Sequence, residues 1–342
     1  MKRIIPLCLA LIMTVGLLAG CGKQNEQTAS DETRLRVVTT IFPEYDWVRE
    51  ILGDKADNAE VTMLLDNGVD LHSYQPTADD IVKISECDLF IYVGGESDDW
   101  VDDALKNAAN KNMKVINLLE ALGDSVKTEE VVEGMQEEEH DHDHDHEDAD
   151  EHDDAEEHDH EEEAEYDEHV WLSLKNAQTL CSAISAVLQQ IDPDNKDTYA
   201  ANASAYIKKL SALDADYQAA VNAAARKTLL FGDRFPFRYL AEDYGLRYYA
   251  AFAGCSAESE ASFETISFLA GKVDELNLPC VLTIEGVQHK IAETIVRNTA
   301  AKNQKVLMMD SMQSTTSQDA ANGTTYLSVM ERNLSVLKEA LG

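Results

Sequence analysis

Short apolar runs alternate with amphipathic segments along the first third of the chain. Four of these runs are rich in β-branched residues and have the length of buried strands: residues 35–42, 61–65, 88–93 and 114–119. Residues 44–52 and 77–86 have helical spacing, and Thr77 followed by Asp80 is typical of a capping box. Strands that alternate with helices in this way predict a parallel sheet covered on both faces.

The second half of the chain repeats the alternation. The predicted strands are residues 228–231, 247–252, 279–284 and 305–309, and the predicted helices are residues 235–244, 263–276 and 290–301. A last helix at 325–341 is expected to pack back on the body. Residues 194–226 contain no Gly or Pro and are rich in Ala, Leu, Lys and Gln. They therefore predict a single helix of roughly 45–50 Å.

These elements predict an α/β fold with two parallel-sheet lobes joined by a long rigid helix. The N-terminal lobe is expected at 34–193, the linking helix at 194–226 and the C-terminal lobe at 227–342. In open α/β sheets, ligands bind beyond the carboxyl ends of the strands. The loops at those ends contain four side chains that can ligate a metal: His72, His169, Asp233 and Asp310. The pattern thus indicates a metal-binding cleft between the lobes.

The first residues have the pattern of an export signal. A short basic start, Met1-Lys2-Arg3, precedes an apolar run that is too short for a comfortable membrane span. The run ends in Leu-Ala-Gly-Cys, which resembles a bacterial lipobox and implies cleavage before Cys21 and acylation of that cysteine. A plain signal peptide cleaved elsewhere is the alternative. We expect residues 1–20 to be the signal, 21–33 to be a tether, and the mature protein to be lipid-anchored at the outer face of the cell membrane.

A long tract of acids, histidines and alanines separates the fourth predicted strand from residue 169. Residues 137–168 contain 21 Asp or Glu and no Lys or Arg, so they supply more than half of the net charge of −37; the remaining 44 acids and 28 bases give −16. Few apolar residues predict a disordered loop, which we place at 128–166. The tract holds seven of the ten histidines: His140, His142, His144, His146, His152, His158 and His160. Clustered imidazoles and carboxylates indicate weak auxiliary binding of divalent metal; a solvated acidic loop is the alternative.

Composition excludes two further classes of site. The scarcity of clustered Lys and Arg argues against nucleic acid as a partner. The four remaining cysteines of the mature chain contain no Cys-x-x-Cys pair, which argues against a zinc-thiolate or redox motif of that type. Disulfides and buried thiols both remain open for these residues: Cys87, Cys181, Cys255 and Cys280.

Four segments carry a more specific signal: GVDLHSYQPTADD (68–80), DEHVWLS (167–173), YLAEDYGL (239–246) and GTTYLSVMERN (323–333). In order and in content they resemble signatures of the metal-specific solute-binding lipoproteins of bacterial zinc and manganese ABC importers. The resemblance covers essentially the whole mature chain. It includes the position of the His-rich insertion, which is typical of the zinc branch.

The resemblance implies one metal ion held between the lobes by four side chains. His72 and His169 match the first two histidine ligands, and Asp310 matches the acidic ligand of the second lobe. The third ligand of the family would fall on Arg234, which cannot ligate, so Asp233 is the expected substitute. If the rings of His72 and His169 lay more than about 6 Å apart, they could not share one zinc ion, and this interpretation would fail.

The expected cargo is Zn²⁺, because clustered imidazoles favour zinc; Mn²⁺ is the alternative, since carboxylates also suit harder ions. The resemblance implies delivery to an ABC permease with a separate ATPase subunit, by a monomer that catalyses nothing. The rival hypotheses are a manganese-binding component, an extracellular zinc enzyme with Glu285 as its base, and an adhesin or metal-storage protein.

Overall fold

The computed structural model describes residues 34–136, 165–256, 260–286 and 289–342. Its strands are β1 Leu35–Thr39, β2 Ala59–Met63, β3 Leu89–Tyr92, β4 Lys114–Asn117, β5 Thr228–Arg234, β6 Arg247–Phe252, β7 Cys280–Thr283 and β8 Lys305–Met308. Its helices are α1 Phe42–Leu52, α2 Ala78–Glu86, α3 Val101–Lys106, α4 Leu118–Leu122, α5 Leu174–Ile191, α6 Lys196–Ala223, α7 Arg238–Tyr244, α8 Phe263–Glu275, α9 Lys290–Asn298, α10 Ser317–Ala321 and α11 Tyr326–Leu341. Arg36–Gly342 form one compact unit.

The strands form two four-stranded sheets with the same topology. The strand order is β2-β1-β3-β4 in the first sheet and β6-β5-β7-β8 in the second. Their registered pairs, such as β1 with β3 and β5 with β7, are parallel. The strand order reverses between β1 and β3 in the first sheet and between β5 and β7 in the second. Ligands of doubly wound folds bind at such a reversal, beyond the carboxyl ends of the strands. The predicted class, two parallel-sheet lobes, is confirmed.

The long helix α6 connects the lobes as a continuous rod. Its 28 residues span about 42 Å at 1.5 Å per residue. A buried stripe with spacing of three and four faces the body: Tyr199, Ala203, Tyr206, Leu210, Leu213, Tyr217 and Val221. Near its start Asn202 donates to the carbonyl of Ile51 in α1, and near its end Tyr217 donates to the carbonyl of Met330 in α11. These hydrogen bonds at both ends are consistent with the predicted rigid helix between the lobes.

Several boundaries differ from those predicted for a physical reason. The first predicted strand stops early because Glu44 accepts the backbone N–H groups of Thr40 and Ile41 and starts α1 at Phe42. The fourth stops at Asn117, whose side chain caps α4 by accepting from Glu120 N. Leu174–Ile191, for which no helix was predicted, forms α5 behind an N-cap at Ser173.

Both ends of the tract 128–166, which was predicted to be disordered, are ordered. Thr128 pairs with Tyr166 in an antiparallel bridge, and Glu129 N donates to the carbonyl of Glu165 at 2.8 Å. Gln136 N donates to the carbonyl of Ala251 at the end of β6. Residues 128–136 and 165–166 are thus fixed by backbone hydrogen bonds. The seven histidines of the tract and Cys21 lie outside the described residues.

Within the described ranges, the structure contains no helix that combines the length and the hydrophobicity needed to cross a bilayer.

Candidate metal site

His72 lies in the loop after β2, and its own neighbours hold it in place. Asp70 caps the short turn Leu71–Ser73 by accepting His72 N at 3.0 Å. Farther along the loop, Tyr74 donates to Asp80 at 3.0 Å, and Asp80 also closes the capping box of α2 with Thr77. The asparagine- and glycine-containing loop is therefore fixed at both sides of the histidine.

His169 is fully buried and is positioned from both lobes. Asp167 Oδ1 accepts its backbone N–H at 2.9 Å and lies 3.0 Å from its Nδ1. Two residues later, Trp171 Nε1 donates to the carbonyl of Ser311 in the second lobe at 2.8 Å, and Tyr326 donates to the carbonyl of Trp171. The aromatic residues of the sequence signatures thus orient the segment that carries the histidine.

The two imidazoles meet edge to edge although they are far apart in sequence. Their Nε2 atoms are 3.3 Å apart and their ring centroids are 5.2 Å apart. Two Zn–N bonds of about 2.0–2.1 Å at a tetrahedral angle place the nitrogens about 3.3–3.4 Å apart. The observed separation therefore fits two ligands of one zinc ion, and the 6 Å limit set by the sequence analysis is respected.

The Nδ1 atoms of both histidines face oxygen atoms, so the lone pair on each Nε2 atom is left for a metal ion. His72 Nδ1 lies 2.9 Å from Ser97 Oγ and 3.4 Å from Glu168 Oε2, and His169 Nδ1 faces Asp167. Oxygen partners of this kind set the tautomer of metal-binding histidines and raise their basicity as ligands. Glu168 is thus an acidic neighbour of His72.

The imidazole of His72 is neutral over the ordinary pH range. Burial, followed by the neighbouring His169, lowers the pKa of His72 to about 3. A neutral imidazole can ligate without first losing a proton. The ring is therefore prepared for metal binding by its surroundings.

A third donor, which the sequence analysis did not assign, lies beside the two histidines. Donor atoms of His72, His169 and Cys255 all lie within 4.8 Å of one another. Among the described residues, these are the three His, Cys, Asp or Glu side chains whose donor atoms lie close enough together to hold one metal ion. Cys255 follows β6, so the rule that ligands bind beyond the carboxyl ends of strands could have included it. It was set aside because it lacks a Cys-x-x-Cys partner.

The structure does not bring Asp233 or Asp310 into this group. Asp233 Oδ2 accepts from Thr283 Oγ1 at 2.6 Å and its Oδ1 accepts from Arg234 N, so the carboxylate is tied to its own lobe. Asp310 Oδ1 accepts from Met312 N at 2.9 Å and closes a tight turn beside α11. Hydrogen bonds within the second lobe engage both carboxylates, and neither belongs to the three-donor group.

Gln313, three residues after Asp310, reaches the histidines instead. Its amide lies 3.3 Å from His169 Nε2. In the orientation that its neighbours favour, the amide nitrogen donates to both carboxylate oxygens of Asp70 at 3.0 Å and the amide oxygen faces the histidine. Glu285 fixes this loop by accepting from Ser311 N and Gln313 N at 2.6 and 3.0 Å. Glu285, the base of the enzyme hypothesis, is thus occupied with backbone groups.

Arg234, at the position where the family resemblance implies a ligand, forms an ion pair across the lobes. Its guanidinium donates to Asp70 Oδ2 beside His72. Burial alone would raise the pKa of Asp70, but the guanidinium outweighs burial and holds that pKa below its ordinary value. Asp66 adds a second link between the lobes, since it accepts from Ser317 N and Oγ at 2.5 and 2.6 Å.

The four described cysteines are free thiols, so no disulfide joins residues in the described ranges. Cys87, Cys181 and Cys280 are buried, whereas Cys255 is half-buried at the edge of the site. Burial, followed by the charge of Glu129, raises the pKa of the Cys255 thiol.

Two α/β lobes joined by a rod-like helix, with paired imidazoles where the lobes meet, define a solute-binding protein for a metal ion. The chain belongs to the ZnuA family, described as the periplasmic component A of the zinc-uptake complex, which matches residues 37–340. This family and its relatives are solute-binding proteins rather than enzymes, which removes the enzyme hypothesis.

Named relatives agree with this membership. The chain is 31% identical over 327 residues to the high-affinity zinc uptake system protein ZnuA of Bacillus subtilis, covering 95% of this chain and 94% of that protein. It is 33% identical over 339 residues to the zinc-binding lipoprotein AdcA of Streptococcus pneumoniae, covering 99% of this chain but 61% of AdcA. The chain thus spans about three fifths of the AdcA proteins it matches.

Solved structures give the same result. The Zn(II)-bound ZnuA-like domain of Streptococcus pneumoniae AdcA superimposes with a TM-score of 0.67 at 29% identity, covering 90% of this chain and 99% of that domain. The metal-dependent lipoprotein YcdH of Bacillus subtilis superimposes with a TM-score of 0.69 at 28% identity, covering 90% and 99% of the two chains.

Proposed function

We propose that this protein captures Zn²⁺ outside the cytoplasm, holds it between its lobes with His72 and His169, and delivers it to a membrane permease driven by a separate ATPase subunit. The observation that carries the proposal is the 3.3 Å separation of the two Nε2 atoms. Membership of the zinc-uptake family and the Zn(II)-bound AdcA domain support zinc as the cargo.

Zinc is favoured over manganese by the donors at the site. Imidazole nitrogens and a sulfur suit zinc, whereas Mn²⁺ prefers carboxylate, carbonyl and water oxygens. The two carboxylates that would have suited manganese, Asp233 and Asp310, are bound to their own lobe.

The proposal is tested by native mass spectrometry of the full chain after chelation. We expect a first equivalent of Zn²⁺ to bind tightly and to resist an equal concentration of Mn²⁺. Protein extracted from membranes should also carry the added mass of acyl chains on Cys21, and the apo and zinc-loaded forms should both be monomers. Tight binding of Mn²⁺ in preference to Zn²⁺ would instead support the manganese-binding alternative.

We also propose that the acidic tract binds zinc weakly and raises its local concentration. The ordered base of the tract supports this role, because Gln136 is anchored at the end of β6, the strand that Cys255 follows. Deletion of residues 136–164 should leave the affinity of the first equivalent unchanged and remove the additional weak equivalents. Calorimetric zinc titration of the full chain and the deletion variant measures both quantities. Loss of the tight equivalent on deletion would assign the primary site to the tract.

A further inference from the structure

We infer that Cys255 binds the captured zinc ion through its thiolate, as a third ligand beside His72 and His169. This inference rests on the proposed function, since it concerns the same ion. Its first support is geometric: the three donor atoms lie within 4.8 Å of one another. A Zn–S bond of about 2.3 Å and a Zn–N bond of about 2.0–2.1 Å at a tetrahedral angle place sulfur and nitrogen about 3.6 Å apart. The set therefore closes when the sulfur moves toward the nitrogens by up to about 1.2 Å, a distance within reach of rotation about the Cα–Cβ bond of the cysteine.

The backbone before Cys255 is built for close approach to His169. A Cβ atom at Gly254 would lie 3.2 Å from Cε1 and Nδ1 of the His169 ring and 3.0 Å from the carbonyl oxygen of Phe235. These distances are tighter than ordinary contacts, so a residue with a side chain would push the loop away from the ring. Glycine at this position lets the loop after β6 lie against the histidine.

A hydrogen bond from the other side holds the cysteine in that loop. Cys255 N donates to Glu129 Oε1 at 2.8 Å, and residues around Glu129 are themselves fixed by the bridge of Thr128 with Tyr166. The position of the Cys255 backbone is thus determined by contacts to two separate segments. It does not depend on a disulfide, because Cys255 is a free thiol.

A thiolate would supply the negatively charged ligand that the histidine pair lacks. Imidazole ligands bring no negative charge to a metal ion, and Asp233 and Asp310 do not belong to the three-donor group. Coordination replaces the S–H bond of Cys255 by an S–Zn bond and releases one proton to solvent, so the ligand brings a negative charge with it. The amide oxygen of Gln313, which faces His169 Nε2, is placed to complete a four-coordinate N₂SO set. Sulfur ligation selects zinc against Mn²⁺.

The inference is tested with Co²⁺ as a spectroscopic substitute and with Zn²⁺ competition against a chelator. One equivalent of Co²⁺ on the full chain should give a near-ultraviolet sulfur-to-cobalt charge-transfer band. The acidic tract contains no cysteine, so cobalt bound there cannot produce it. The band should vanish in Cys255→Ser and persist in the matched control Cys280→Ala, which changes a buried thiol of the same lobe. Cys255→Ser should weaken zinc binding by about tenfold or more.

The outcomes separate this inference from the proposed function. A wild-type cobalt complex without a thiolate band would overturn the inference, and this measurement does not depend on the folding of any variant. The inference would also be overturned if the Cys255→Ser variant bound zinc as tightly as the wild type does. If His72→Ala then still loses tight binding, the proposed function stands without Cys255. If neither substitution changes the affinity, both fail.

Discussion

Replacing His72 or His169 by alanine is expected to weaken zinc binding by more than about 100-fold, since loss of a group that only orients a ligand already costs about 10–100-fold. Each substitution removes one of the two nitrogens that lie 3.3 Å apart. His72→Ala is the cleaner variant, because His169 is fully buried and Asp167 would lose one of the groups it orders. Competition with a chromogenic chelator measures the change in affinity.

His289→Ala is the matched control for these two variants. His289 is the remaining histidine in the described residues, and its Nδ1 lies 3.1 Å from Thr283 Oγ1. It lines the same cavity as His72 but does not belong to the three-donor group. Its substitution should leave the affinity of the first zinc equivalent unchanged. Thermal melts of the zinc-free proteins check that each variant is folded. Unchanged affinity in folded His72→Ala would show that the ion is bound elsewhere.

The fold could be predicted from sequence to the extent that it depends on hydrophobic periodicity. The apolar runs of both halves correctly predicted the two parallel sheets, and the Gly- and Pro-free segment correctly predicted the long helix. Helix α5 was missed, although Ser173 caps it and its buried residues, such as Leu180 and Ile184, have helical spacing. Strand ends were overestimated where a side chain starts a helix, as Glu44 and Asn117 do. Such caps compete with the apolar pattern over two or three residues.

The site was only partly predictable for a different reason. Motif spacing placed His72 and His169 at strand ends, and local hydrogen bonds then direct both rings to one point. Other hydrogen bonds hold Asp233 at Thr283 and Asp310 at Met312, and no rule of sequence spacing predicts them. Cys255 and Gln313 reach the histidines through loops whose course depends on close packing at Gly254 and on Glu285. Strand-end position selects candidates, but side-chain direction decides among them.

A group of buried carboxyl groups lies beside the site and makes stability depend on pH. Glu44, Asp98 and Glu168 are almost fully buried, and Glu44 Oε1 and Asp98 Oδ1 have no hydrogen-bond partner in the described structure. Burial, followed by the charge of Glu168, raises the pKa of Asp98 to about 7. Because this folded-state pKa lies above the unfolded value, Asp98 favours the folded state below the unfolded pKa. That contribution is lost progressively as the pH rises from the unfolded pKa of about 3.9 and is gone once the pH has passed the folded pKa of about 7.

Asp98→Asn is therefore expected to be more stable than the wild type at pH 8, by up to about 4 kcal/mol from a shift of about three pKa units at 1.36 kcal/mol each. The advantage should fall to about 1.5 kcal/mol at pH 5, where the wild-type carboxyl group is protonated in the folded protein but still ionised in the unfolded chain, and it should vanish only below the unfolded pKa of about 3.9. The asparagine carbonyl can still accept from Gly94 N, which donates to Asp98 Oδ2 at 2.9 Å. Denaturant unfolding of the chelated proteins between pH 5 and 8 measures the free energy of unfolding.

Asp103→Asn is the control for this experiment, because Asp103 is exposed on α3 and its pKa is lowered by the hydrogen bond from Lys106. Its difference from the wild type should show no rise between pH 5 and 8. An Asp98→Asn advantage that stays the same across this range would mean that the aspartate is ionised in the folded state throughout. Its negative charge would then have to be balanced inside the fold. In that case this carboxyl group would contribute nothing to the pH dependence of the free energy of unfolding of the zinc-free protein.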